Sequence, residues 1–130
     1  MNLERKLAMF ERLGGREARE VAEQFWRAPG ETTWARYNGV CMPLYNQQHP
    51  ANDDARRRIV FNEAILFASA GGEQRTMDLL PGLAHARCPV LVMAGELVPV
   101  CPLQDSLDIA AALPAGHMQL ATFAQSGHGA

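Results

Sequence analysis

The first half of the chain carries apolar residues at helical spacing. They recur three or four positions apart in two successive stretches, first Leu3, Leu7, Phe10 and Leu13, then Ala18, Val21, Ala22, Phe25 and Trp26. This spacing predicts two amphipathic helices. Gly14-Gly15 separates them, since glycine readily adopts the left-handed conformation that ends a helix. Pro29-Gly30 ends the second helix.

Two more helices are predicted before the composition changes. One begins at Thr32 or Thr33, whose hydroxyl can cap it, and ends before Pro43 with Trp34, Tyr37 and Cys41 on one face. The polar stretch 46–52 is a loop. Asp53 and Asp54 can cap a further helix. The three arginines that follow, Arg56, Arg57 and Arg58, are expected on a solvated face of that helix. Ile65–Ala70 completes this region, and Gly71-Gly72 ends it.

The second half predicts a strand, a helix and a second strand. Val90–Ala94 is a continuous apolar run, which is typical of a strand buried on both faces in a parallel sheet. Pro102 suits a first helical turn, and an apolar stripe follows it in Leu103, Leu107, Ala110 and Ala111. Residues 117–125 are strand-like. The order predicts one βαβ unit with two parallel strands and a right-handed crossover.

Composition and charge exclude several classes of protein. The 130 residues are 48% hydrophobic and 20% charged, which is typical of a globular protein and excludes a disordered or fibrous chain. A net charge of -2 gives no general attraction to nucleic acid or to anionic membranes, so neither is predicted as a partner. The apolar runs are too short to span a bilayer, and the charged N-terminal segment is unlike a signal peptide. We therefore expect a cytoplasmic protein.

The three cysteines, Cys41, Cys88 and Cys101, form no Cys-x-x-Cys pair and have no histidine at zinc-ligand spacing. This spacing predicts free, mostly buried thiols. Neither a metal site nor a cofactor is predicted. His49, His85 and His117 are predicted to be surface histidines. The aromatic residues Trp26, Trp34, Tyr37 and Tyr45 are expected in the core, and the alternative is that they line a substrate pocket beneath a cap.

The loops that follow the two predicted strands are the candidate functional region. Ligands of open α/β sheets bind outside the carboxyl ends of the strands. Residues 95–102 follow the first strand and residues 126–130 follow the second. If the strands pair in parallel, these two loops are neighbours in space.

The second half of the chain contains a series of short motifs: Cys88–Glu96, Pro99, Pro102, Ile109-Ala110, Leu113-Pro114 and Gly127-His128-Gly129. This series resembles the C-terminal part of an α/β-hydrolase, in the branch that contains proline iminopeptidases and esterases. Trp34–Tyr37 and Cys41–Tyr45 resemble the helical cap of that branch. The resemblance implies a partial α/β-hydrolase fold of class α/β, with a helical cap region at 1–75 and a C-terminal βαβ part at 76–130.

The resemblance also implies a Ser–His–acid mechanism, in which His128 matches the catalytic base. The position of the acid is occupied by Val98, which cannot accept a hydrogen bond from an imidazole. Glu96 and Asp105 are the candidate substitutes for the acid. Cys101 is an alternative nucleophile beside His128.

The nucleophile of the family is missing from the sequence. Its serine lies in a Gly-x-Ser-x-Gly elbow, whereas Ser69, Ser106 and Ser126 have other surroundings. The resemblance implies an elbow before Met1 and a further helix after Ala130. The implied substrates are small esters, amides or aminoacyl peptides, and we expect the isolated chain to be inactive.

Two alternatives remain open: a non-catalytic binding or oligomerisation module, and a gene fragment without selected function. Two-stranded sheets are marginal alone and leave both edges unpaired. We therefore expect exposed apolar surface and self-association.

Overall fold

The computed structural model describes residues 2–47 and 58–129, which form a mixed α/β structure of helices and a two-stranded parallel sheet. The helices are α1 Leu3–Arg27, α2 Glu31–Val40, α3 Glu63–Gly71, α4 Leu80–Leu83 and α5 Leu103–Ala112, with 3-10 turns at Met42–Tyr45 and Glu73–Arg75. The strands are β1 Val90–Gly95 and β2 Met118–Phe123. None of the described helices is long and apolar enough to cross a membrane.

Helix α1 consists of two helical segments that meet at a kink. Gly15 has a φ of 75° and a ψ of -171°, so it lies outside the helical region and on the side of φ that favours glycine. The predicted break at Gly14-Gly15 is confirmed. The Asn2 side chain accepts the backbone N–H of Arg5 at 3.2 Å and caps the first segment.

The start of α2 differs from the prediction. Its N-cap is Gly30, and no side chain caps it. The Thr33 hydroxyl instead donates to the carbonyl oxygens of Ala28 at 2.8 Å and Gly30 at 3.0 Å. The hydroxyl therefore bonds the preceding turn, and the prediction of a threonine cap is wrong. The predicted end of the helix before Pro43 is confirmed.

Helix α3 begins at Glu63 and is capped by Asn62. Residues 58–62 are not helical, and the Asn62 side chain caps the helix by accepting the backbone N–H of Ile65 at 3.1 Å. The helix predicted to begin at Asp53 and Asp54 therefore has its start outside the described residues, and the predicted end at Gly71-Gly72 agrees with the end of α3. Asp53, Asp54, Arg56 and Arg57 lie outside the described residues, and Arg58 is exposed in a turn.

The larger apolar cluster joins α1, α2 and α3 around aromatic side chains. Phe25 contacts three of these rings, with ring centroids 4.6 Å from Tyr37, 5.4 Å from Trp26 and 5.5 Å from Trp34. These rings are buried, which confirms their predicted core role. Lys6 is also buried, and its ammonium lies 4.0 Å above the Trp26 ring in a cation–π contact.

The two strands pair in parallel, with the register running from Val90 opposite Met118 to Gly95 opposite Phe123. The predicted strand–helix–strand order with parallel pairing is confirmed. Val92 packs with Ala110 and Leu113 in a smaller apolar cluster on the side of α5. Alternate side chains of a strand point to opposite faces, and the other face of β1 is open.

Burial of β1 on both faces, as predicted from its apolar run, is therefore wrong. Leu91 is 57% exposed and Met93 is 58% exposed. The reason is that α5 covers one face of the sheet, and no described element covers these two side chains. The expectation of exposed apolar surface is confirmed.

Candidate functional site

The loops after β1 and β2 lie against each other, as the parallel pairing predicted. The backbone N–H of Leu97 donates to the Ser126 carbonyl at 3.0 Å. A Cβ on Gly95 would lie 2.5 Å from the same carbonyl oxygen, so the two loops approach too closely for any side chain at this position. Glycine at the end of β1 therefore allows the two loops to form one surface.

The histidine loop, residues 126–129, also docks on the end of the helical region. The backbone N–H of His128 donates to the Tyr45 carbonyl at 2.6 Å, and that of Gly129 donates to Asn46 Oδ1 at 2.6 Å. The His128 ring meets the Tyr45 ring edge-on, with centroids 5.5 Å apart. Gly127 is buried where the two backbones cross, and a Cβ there would lie 2.8 Å from the Asn46 Cα and closer still to the Tyr45 carbonyl oxygen.

A cavity of about 320 Å³, called the histidine cavity here, opens where these segments meet. Its lining residues come from both loops and from the start of α5: Met93, Ala94, Gly95, Val98, Cys101, Ser106, Gly127 and His128. The volume is at the lower end of the range of roughly 300–1,000 Å³ for small-molecule sites. The cavity therefore suits a small group and brings His128 and position 98 together.

The candidate acids do not reach the His128 ring. Val98 is 6% exposed and lines the histidine cavity, but it offers no hydrogen-bond acceptor. Glu96 is half-buried, and its carboxylate makes no hydrogen bond within the described part of the chain. Asp105 pairs with Arg5 at 2.9 Å. Among residues 2–47 and 58–129, no carboxylate forms an ion pair or hydrogen bond with His128.

Two hydroxyl or thiol side chains share the histidine cavity with His128. Ser106 lies in the N-terminal half of α5 and was not predicted as a site residue. The sequence feature that could have identified it is its position one helical turn after Pro102, because the helix that begins there directly follows the loop after β1. Cys101, the alternative nucleophile of the sequence analysis, lines the same cavity as His128.

The thiols are free, as predicted, but most are not buried. Cys41 is buried, whereas Cys88 and Cys101 are exposed. The expectation of mostly buried thiols is wrong because Cys88 lies in the segment before β1 and Cys101 in the loop after it, rather than on a packed helix face. Burial raises the pKa of the Cys41 thiol to about 12.

A pair of tyrosines connects the histidine loop to the helical cluster. The hydroxyls of Tyr37 and Tyr45 are 2.8 Å apart and hydrogen-bonded. Burial raises the pKa of Tyr45 to about 12, and it raises the pKa of Tyr37 further. Both phenols therefore stay protonated at neutral pH, and the hydrogen bond between them fixes the ring that meets His128.

The other histidines lie away from this arrangement. His85 and His117 are exposed, as predicted, and His49 lies outside the described residues. Within the described ranges no three His, Cys, Asp or Glu side chains come together as a metal site would require. Comparison with family models, with curated proteins and with solved structures finds no match for this chain.

Proposed function

We propose that the chain is the helical cap and C-terminal βαβ part of an α/β-hydrolase for small esters, amides or aminoacyl peptides, with His128 as the base of the site. The observation that supports the proposal is the histidine cavity. It lies at the carboxyl ends of two parallel strands, and both His128 and residue 98 line it. Ligand sites of open α/β sheets occupy this place.

In the proposed mechanism His128 takes the proton of a serine hydroxyl supplied from outside this sequence. The backbone bond from His128 to Tyr45 and the edge-on ring contact restrict the position of the imidazole. Val98 leaves the ring without the carboxylate that stabilises its protonated form. Disrupting the acid of such a triad lowers turnover by about 10⁴-fold, so we propose that the isolated chain is inactive.

The inactivity is tested by assaying the purified chain with p-nitrophenyl acetate and with an aminoacyl p-nitroanilide, beside a His128→Ala variant. We expect both proteins to give the background rate. Turnover by the parent chain that disappears in His128→Ala would contradict the proposed inactivity, and it would direct attention to Ser106 and Cys101 as nucleophiles.

The assignment of position 98 is tested by installing the missing acid. In Val98→Asp we expect the new carboxylate to accept a hydrogen bond from the His128 ring, detected as a downfield imidazole N–H resonance in the proton NMR spectrum. Val98→Asn separates the effect of charge from that of repacking, and Val60→Asp adds the same charge at an exposed position. If the His128 imidazole N–H resonance has the same chemical shift in Val98→Asp and in Val60→Asp, the proposed triad geometry is contradicted.

A second candidate function is a self-associating module without catalysis. The observation that favours it is the open face of β1, where Leu91 and Met93 are exposed side by side on the same face of the strand. Light scattering after size-exclusion chromatography tests it. We expect a concentration-dependent increase in mass that the double variant Leu91→Gln, Met93→Gln abolishes. A monomer across the whole concentration range would rule against this function.

A further inference from the structure

A second and larger cavity lies on a different part of the molecule. It has a volume of about 760 Å³ and is called the helical cleft here. The start of α1, the segment 77–83 and α5 form its walls. It shares no lining residue with the histidine cavity, and its volume is within the range of typical small-molecule sites.

Most of the lining of the helical cleft is apolar. The apolar residues are Leu3, Met77, Leu79, Leu80, Leu83 and Ile109. Met77 is 52% exposed and Leu79 is 66% exposed, so this wall presents apolar area to water. Covering such area with an apolar group is favourable in proportion to the area removed from water.

The charged lining of the helical cleft has an excess of carboxylates. Asp78, Asp105 and Asp108 face one cation, Arg5. Arg5 pairs with both Asp105 and Asp108, and this contact lowers the pKa of Asp108, so the carboxylate stays ionised at neutral pH. Arg5 is therefore already engaged by two anions and is not available to attract a third.

Asp78 is the carboxylate that remains for a ligand. Its Oδ1 accepts the backbone N–H of Leu80 at 3.1 Å, and no side-chain cation within the described ranges pairs with it. An anionic ligand would meet three carboxylates and a neutralised arginine. A ligand that carries one positive charge would instead offset the negative excess.

We propose that the helical cleft binds a small amphipathic cation, a molecule with an aryl or alkyl body and a single ammonium group. The apolar body covers Leu79, Leu80 and Ile109, and the ammonium pairs with Asp78. This site is independent of the proposed hydrolase site, because the two cavities use different residues.

The test is an NMR titration of the full chain with 4-phenylbutylamine, using 4-phenylbutyrate and 4-phenylbutanol as probes of the same body. We expect the amine to bind about fivefold more tightly than the other two, because only the amine gains a charge pair, with the exposed Asp78. We expect the shifted backbone amides to be those of residues 77–80 and 105–109. Equal binding of all three probes, or shifts confined to residues elsewhere, would overturn the proposal.

Matched variants assign the two parts of the site. Asp78→Asn keeps the acceptor for the Leu80 N–H but removes the charge, and it should weaken amine binding about fivefold. Glu17→Gln removes one exposed charge elsewhere and should leave the affinity for the amine unchanged. Ile109→Ala should weaken all three probes up to about tenfold, and Ile65→Ala is its control on α3. Equal amine affinity in Asp78→Asn and Glu17→Gln would refute the assigned ammonium position.

Discussion

Replacing Gly127 by alanine should detach the histidine loop from the helical region. The new Cβ would lie 2.8 Å from the Asn46 Cα, whereas non-bonded carbons prefer about 3.5–4.0 Å. The contact is with backbone on both sides, so no side-chain rotation can relieve it. The loop must move away by about 1 Å and lose the hydrogen bonds from His128 to Tyr45 and from Gly129 to Asn46.

The expected cost follows from those two interactions. Each hydrogen bond contributes about 1 kcal/mol net, so Gly127→Ala should lower the free energy of unfolding by about 2 kcal/mol. With a urea m-value of about 1–3 kcal/mol/M, the unfolding midpoint falls by about 1 M. Urea unfolding followed by tryptophan fluorescence measures this shift, and hydrogen exchange of the His128 amide reports the loop itself.

Two glycine variants serve as controls for the loop prediction. A Cβ on Gly116 would meet nothing within 4 Å, so Gly116→Ala should change stability by less than about 0.5 kcal/mol. A Cβ on Gly129 would lie 3.1 Å from Asn46 Oδ1, the end of a side chain that can move, so Gly129→Ala should be intermediate. An unchanged midpoint together with unchanged protection of the His128 amide in Gly127→Ala would refute the reasoning.

Three further predictions concern the helical cluster. Phe25→Ala removes a buried ring and should lower the free energy of unfolding by about 3–5 kcal/mol. Phe61→Ala should lower it by about 1 kcal/mol, because Phe61 is 48% exposed and its ring contacts only Trp34 among the described rings, at 5.6 Å between centroids. Thermal unfolding measures both changes, and equal losses would contradict this core. Cys41 should not react with a thiol reagent at pH 8 until urea unfolds the chain, because burial raises the pKa of its thiol to about 12. Mass spectrometry counts the modified thiols, and three modified thiols in the folded chain would disprove this prediction. The free energy of unfolding should fall as the pH rises from about 10 to 12, because tyrosine in the unfolded chain loses its proton near pH 10, whereas the pKa of Tyr45 in the folded chain is about 12. Urea unfolding at several pH values measures this fall. A Tyr45→Phe variant whose free energy of unfolding falls equally steeply would contradict this origin.

Local patterns predicted those features that depend on neighbours in sequence. The helical spacing of the apolar residues predicted a buried face on each segment of α1, and Leu7, Phe10 and Phe25 are buried. Gly15 has the positive φ expected at a helix break. The order of strand, helix and strand implied parallel pairing, because the crossover helix returns the chain to the end of the sheet at which the first strand began.

The features that the sequence did not predict depend on tertiary contacts. The apolar run of β1 cannot reveal whether an element covers its second face, so the exposure of Leu91 was missed. The positions of Glu96 in a loop and of Asp105 in a helix do not predict which side chains they contact. Asp105 pairs with Arg5, which lies near the other end of the described chain. Ser106 enters the histidine cavity through the geometry of α5, which sequence proximity to His128 does not indicate.

The histidine loop joins the sheet side of the molecule to Tyr45 of the helical region, and this position explains how the shape of the histidine cavity is maintained. The sheet side supplies Gly95 and Val98, while Tyr45 belongs to the helical side through its hydrogen bond with Tyr37. Val100, from the loop after β1, packs against the helical cluster. The cavity therefore depends on the sheet and the helical cluster together, because neither the parallel pair nor the helices alone would hold the His128 ring against Tyr45.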